Sequence, residues 1–266
     1  GAAIAKEAEE ASVIKNETPI MVVVGNPPYS GVSSNETKYA NSLVEKYKIE
    51  PGGKQKLQER KHWLNDDYVK FIAFAEDMVA KNKEGILGFI TNHGYLDNPT
   101  FRGMRWHLMD TFDSIYVIDL HGNSKKKEIA PDGSKDENVF NIQQGVSIIL
   151  AIKTGKKKKG DLARIHRTDL WGKRGSKFEQ LNNLSIENAK WTILKPRPPN
   201  LFFVPEGSIK LEEEYRKGFS VNDILVESTT GIVTMGDGFI VDEDKESLQK
   251  RVDNFLSEDI SKNVLT

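Results

Sequence analysis

The chain has 266 residues, 29% charged and 38% apolar, with a formal net charge of −1. That length holds one large domain or two small ones, and the near-neutral balance excludes a global basic pull toward nucleic acid, leaving local patches. Cysteine is absent, which excludes disulfides and cysteine–zinc sites and fits a reducing, cytoplasmic setting.

No apolar run approaches the roughly 18 residues that a membrane span needs, so no membrane partner is expected. The opening Ala/Glu-rich stretch, residues 2–13, reads as a helix rather than a secretory signal, and position 1 is Gly rather than Met. The chain is therefore expected to be a piece of a longer polypeptide.

Residues 19–24, PIMVVV, form a Val-rich apolar run, the pattern of a strand buried on both faces of a parallel sheet. Residues 30–61 are polar and contain Pro51-Gly52-Gly53. They predict a long connection, placed to act as a lid over a neighbouring pocket. In residues 64–85, Tyr68, Phe71, Ile72, Ala75, Met78 and Val79 keep a 3–4 spacing ahead of Gly85, which predicts an amphipathic helix. A strand follows over 85–91, a helix opened by Asn98-Pro99 over 98–112, and a strand over 114–122. Residues 123–138 read as a charged loop and 145–153 as a further apolar strand. This order predicts a mostly parallel α/β sheet. The run GKKKKG at 155–160 marks a border. Beyond it, prolines 196, 198, 199 and 205, short strand-like runs and a final polar helix near 243–258 indicate a second region of mixed type.

Asn26-Pro27-Pro28-Tyr29 follows the first strand directly. The prolines fix φ and hold the residue before them extended, at the strand end where open α/β sheets bind ligands. The Asn26 amide oxygen and the Pro27 carbonyl then sit as paired acceptors suited to one –NH₂ group, with Tyr29 offering a flat stacking face. Such a pair fits an exocyclic amine on a planar ring or a side-chain amide. It would orient a poor nucleophile and offset the positive charge that develops on its nitrogen. A base inside duplex DNA would first have to leave the stack.

These residues resemble the catalytic motif of the amino-methyltransferases that use S-adenosylmethionine (SAM), and Asn in first place resembles the adenine-N6 branch. Tyr68-Val69-Lys70-Phe71 with the strand ending in Asn92, and Val139-Phe140 before a Val/Ile strand, extend the likeness over about residues 19–153. It is nearest to the methylase portion of large single-chain restriction–modification enzymes. Arg167-Thr168-Asp169-Leu170-Trp171-Gly172 and Gly231-Ile232-Val233-Thr234, with Asp237 and Phe239, resemble the passage into their target-recognition region.

The resemblance implies the C-terminal half of a Rossmann-like SAM-dependent methyltransferase sheet in residues 1–158. The start of a mixed α+β target-recognition region follows in residues 159–266. It implies double-stranded DNA as partner, Asn26, Pro27, Pro28 and Tyr29 as the catalytic group, and Phe140 as a second stacking residue on a flipped adenine. The family's SAM-binding Gly-x-Gly turn should precede the catalytic motif, yet the sole Gly-x-Gly is Gly236-Asp237-Gly238. A SAM-binding half, with helicase and nuclease parts, is thus expected in a missing N-terminal portion of the same polypeptide.

The five histidines, at 62, 93, 107, 121 and 166, show no metal-ligand spacing, so no metal is expected. Trp171 with Lys173, Arg174 and Lys177, and Thr234 further on, suit a DNA-facing surface. The lysine clusters 125–127 and 156–159 read as solvated or phosphate-facing. Two rival functions stay open: a protein glutamine methyltransferase, which clamps an amide nitrogen with the same motif, and a non-catalytic DNA-specificity module. Cytosine-C5 methylation is excluded, since it needs a cysteine nucleophile.

Overall fold

In the computed structural model of the chain, the described residues are 2–16, 19–28, 31, 33, 35–58, 62–205, 217–219, 224 and 241–256. Six strands, β1 (Val22–Gly25), β2 (Gly85–Asn92), β3 (Ser114–His121), β4 (Val146–Lys153), β5 (Arg164–Asp169) and β6 (Thr192–Leu194), form one sheet in the order β1-β2-β4-β3-β5-β6. The helices are α1 (Ala2–Asn16), α2 (Lys38–Val44), α3 (Asp67–Ala80), α4 (Arg102–Thr111), α5 (Arg174–Asn183) and α6 (Lys245–Leu256).

The α/β class holds, but the sheet is mixed rather than mostly parallel. β1 pairs with β2 and β3 with β5 in parallel, while β4 runs antiparallel to both β2 and β3 and β6 antiparallel to β5. The reason lies in the connections. Helices carry the chain back between β1 and β2 and between β2 and β3, which permits parallel strands. The β3–β4 loop contains no helix, so β4 returns in the opposite sense and inserts between its predecessors.

α3 presents Tyr68, Val69, Ile72, Ala75 and Val79 to the sheet, where they meet Leu87, Phe89, Ile115, Val117 and Ile149 in the main core. A smaller apolar cluster joins Leu120, Val139, Val146 and Leu170. The connection expected to be a lid also contributes to the core: Ala40, Val44, Tyr47 and Leu57 are buried. The Tyr47 hydroxyl donates to Glu76 at 2.6 Å, and Lys46 pairs with the same carboxylate at 2.7 Å. Gly103 lets α4 approach that connection, because a Cβ there would fall on the Tyr47 and Ile49 carbonyl oxygens. Gly103→Ala is expected to destabilise the protein by about 1–3 kcal/mol, read as a lower urea midpoint; an unchanged midpoint would show that the approach is not constrained.

β1 departs from expectation. It is an edge strand, and Val22 and Val24 are 55% and 70% exposed rather than buried on both faces. The expected border after residue 158 does not divide the structure either. β5 and β6 extend the same sheet, and the first compact unit runs from Gly1 to Glu206. Lys157, within the lysine run, folds back onto the end of α4, its ammonium donating to the Met109, Asp110 and Phe112 carbonyls at 2.7, 2.5 and 2.7 Å. A cation there satisfies helix-end carbonyls and suits the helix dipole. The second unit, from Gly207, contains the polar helix α6.

Candidate functional site

The Asn26-Pro27-Pro28 segment leaves the C-terminal end of β1, with Asn26 and Pro28 exposed and Pro27 buried. Tyr29 lies outside the described residues. Just beyond it, the Gly31 N–H donates to Asp66 Oδ2 at 3.0 Å. Asp66 occupies the N-cap position of α3, and burial raises its pKa against the backbone donors that lower it. Asp67 accepts from Ser33, and the Lys70 ammonium donates to Ser33 Oγ at 2.8 Å and to the Asn35 carbonyl at 2.5 Å. The first turn of α3 thus grips the chain that follows the motif.

That chain borders a cavity of about 560 Å³ at the ends of β1 and β2, lined by Gly31, Trp63, Asp66, Tyr68, Asn92, His93, Phe101 and Lys125 among others. Asn92 caps the turn His93–Leu96 by accepting from Gly94 N–H, and Asn98 caps Pro99–Phe101 in the same way. Four side-chain amides, the rings of Trp63, Tyr68 and Phe101, two lysines and two aspartates make a pocket suited to a planar polar ligand. Asn26 does not line it; the motif reaches the cavity through Gly31. Trp63 is 45% exposed and stands at this cavity.

Phe140 lines a second cavity, of about 650 Å³, beside the first; Asn123 lines both. Phe140 is half-buried against the smaller apolar cluster. Asn138 staples its loop, accepting from Phe140 N–H at 2.8 Å and donating to the Gly122 and Gln144 carbonyls at 3.0 and 2.7 Å. The structure thus places Phe140 next to the cavity that Gly31 reaches, not within it.

Of the surface expected to face DNA, Lys173 is exposed. Arg174 instead ties down the Phe140 loop, donating to the Asn138 and Phe140 carbonyls at 2.8 and 3.0 Å. Trp171 stacks on His121, with ring centroids 3.4 Å apart and planes 15° from parallel. Lys177 needs correction. Its side chain is wholly buried, paired with buried Asp136 at 2.7 Å and donating to the Leu120 and Glu137 carbonyls. It cannot meet phosphate there, because it closes the underside of α5. Lys177→Met would strand the Asp136 carboxylate and cost about 3–5 kcal/mol, a loss measurable by urea unfolding; unchanged stability with weaker DNA binding would restore the surface role. Thr234 lies outside the described residues.

Sequence reasoning missed a buried polar centre. His93, just past β2, and Asp119 and His121, at the end of β3, converge around one buried polar centre. His93 Nδ1 lies 3.0 Å from Asp119 Oδ1, Arg167 Nη2 donates to Asp119 Oδ2 at 2.7 Å, and His121 Nε2 lies 2.8 Å from Asp169 Oδ1. Burial opposes charge on His121, but the Asp169, Glu128 and Asp119 carboxylates outweigh it and raise its pKa to about 9. His121 also sits at a register shift in β3 with a positive φ of 52°, an uncommon conformation for a side-chain-bearing residue. Gly145 is required beside it, since a Cβ there would fall on the His93 ring. A faint signal was present: Asp119-x-His121 at a strand end, where alternate side chains share a face.

Residues 2–126 match the family model of the Eco57I restriction-modification methylase. Among solved structures, the ATP-dependent Type ISP restriction-modification enzyme LlaBIII bound to DNA is similar over 77% of this chain and 14% of its own, at 28% identity and a TM-score of 0.63. The DrdV–DNA complex covers 94% of this chain and 26% of its own, at 22% identity and TM-score 0.67. A nuclease-deletion mutant of the Type ISP enzyme LlaGI, in complex with a DNA substrate mimic, covers 92% and 24%, at 20% identity and TM-score 0.63. The last two likenesses establish the shared fold. The chain spans about a quarter or less of the length of these structures. No curated protein sequence matches it significantly. No helix among the described residues is long and apolar enough to cross a membrane.

Proposed function

We propose that this chain is the catalytic-motif portion of a DNA adenine-N6 methyltransferase within a restriction–modification polypeptide. The observation that carries the reading is Asn26-Pro27-Pro28 at the C-terminal end of a parallel strand, with its continuing chain anchored by Asp66 at an aromatic- and amide-lined cavity. The Asn26 amide oxygen and Pro27 carbonyl accept from the exocyclic amine of a flipped adenine, Tyr29 stacks on the base, and Phe140 supports it from the neighbouring loop. Exposed Lys125 and Lys173 are placed to meet phosphates. The similar enzymes LlaBIII and DrdV, solved with DNA, support a DNA partner.

The family implies SAM as methyl donor. The described residues do not complete a site for it: the segment before β1 is the exposed helix α1 rather than a strand with a glycine turn. The uncovered edge of β1 supports a further segment of the same polypeptide that supplies that half. The test uses the intact polypeptide, labelled SAM and mixed-sequence DNA, with a cell extract as alternative acceptor. Label in DNA supports the proposal; label confined to protein glutamine would replace it with the glutamine-methylating reading.

A further inference from the structure

The buried centre at the end of β3 has an unmet valence. His121 is 5% exposed, yet its Nδ1 has no hydrogen-bond partner. It faces Asp119 Oδ2 at 3.8 Å and Glu128 Oε1 at 3.7 Å, both beyond hydrogen-bond range. The other ring nitrogen is held by Asp169 at 2.8 Å. A carboxylate on one imidazole nitrogen, leaving the opposite lone pair directed at oxygen donors, is how metal-ligating histidines are oriented.

We propose that His121 Nδ1, Asp119 Oδ2 and Glu128 Oε1 bind a first-row divalent transition-metal ion, with zinc as the reference species. Ligands about 2.1 Å from a tetrahedral ion lie roughly 3.4 Å apart, and His121 Nδ1 stands 3.8 Å from Asp119 Oδ2 and 3.7 Å from Glu128 Oε1. Charge points the same way. Asp119, Asp169 and Glu128 bring three carboxylates against the single guanidinium of Arg167, an excess of negative charge that a dication balances. Arg167 occupies one lone pair of Asp119 Oδ2 and leaves the second. Glu128 also lines the 650 Å³ cavity, which gives the ion a path from solvent. An imidazole nitrogen with two carboxylates favours zinc, manganese or cobalt over the all-oxygen preference of magnesium and calcium. The ion is structural. It fastens the β3–β4 loop, which borders both cavities, to the ends of β3 and β5 without touching the clamp of Asn26.

The test is calorimetric titration of chelator-treated full-length protein with Zn²⁺, Mn²⁺ and Co²⁺, with thermal unfolding before and after EDTA. One equivalent of bound ion, a raised Tm reversed by EDTA, and a visible Co²⁺ absorption band are expected. Glu128→Gln keeps the oxygen that accepts Asn123 N–H at 2.8 Å, so it should fold. It is expected to weaken binding at least ~10-fold, and His121→Asn to abolish it. Absence of binding to folded wild-type protein, or binding untouched by both substitutions, would overturn the proposal. These readouts need neither SAM nor DNA, so they stand or fall separately from the methyltransferase reading.

Discussion

In the intact polypeptide, Asn26→Ala is expected to lower kcat for methyl transfer by about 10²–10³-fold while DNA affinity stays nearly unchanged. In the proposed clamp the amide oxygen is one of two acceptors for the amine and would act as charge develops on nitrogen, so the expected loss falls on kcat rather than on binding. Asn26 is exposed in this chain, so its truncation removes no packed contact and stability should move by under about 0.5 kcal/mol. Asn26→Asp retains an acceptor oxygen and should retain part of the activity. A variant that is inactive because it is unfolded would show in thermal unfolding; one that is folded with near-normal kcat would end the assignment of the clamp.

Arg105→Leu is expected to lower stability by on the order of 4 kcal/mol. Arg105 is fully buried in α4 and donates to the Tyr95 and Asn98 carbonyls at 2.5 and 2.9 Å and twice to the Asn200 carbonyl, at 3.0 and 2.7 Å. Tyr95 and Asn98 belong to the turns that follow β2 and carry the cavity wall, while Asn200 lies beyond β6. One planar guanidinium therefore locks the pocket's floor to the distal end of the first unit. Leucine would strip the Tyr95 and Asn200 carbonyls of this donor and leave the Asn98 carbonyl with only the Phe101 N–H at 3.1 Å. Arg105→Lys keeps the charge but offers a compact ammonium that cannot span all three, so it should recover only part of the loss. Urea unfolding of the three proteins separates these outcomes, and equal midpoints would show that the carbonyls find other donors.

What could be read from the chain was whatever its neighbours in sequence decide. The Asn26 motif is contiguous, and two prolines state its stiffness without tertiary help. α3 and α4 announced themselves by 3–4 spacing and by Asn98-Pro99, and β2, β3 and β4 by apolar runs close to their observed bounds. Pairing order was not legible. That β4 returns between β2 and β3 depends on a loop without a helix, and a sequence of strands leaves its direction open. Val22 and Val24 read as buried because an apolar run reports the strand's chemistry and not whether a neighbour covers it. Lys177 reads as surface in a charged segment, and only its pairing with Asp136, far back in the β3–β4 loop, takes it inside. His93 and His121 are separated by a helix and a strand, so spacing rules for metal ligands pass over them, although the sheet brings both to one centre.

The most direct measurement is mass spectrometry of nucleosides from DNA incubated with the intact polypeptide and isotopically labelled SAM. N6-methyladenine carrying the label, absent with Asn26→Ala, is the predicted result. Labelled N4-methylcytosine instead, or N6-methyladenine formed equally by the Asn26→Ala protein, would contradict an adenine clamp built on this motif.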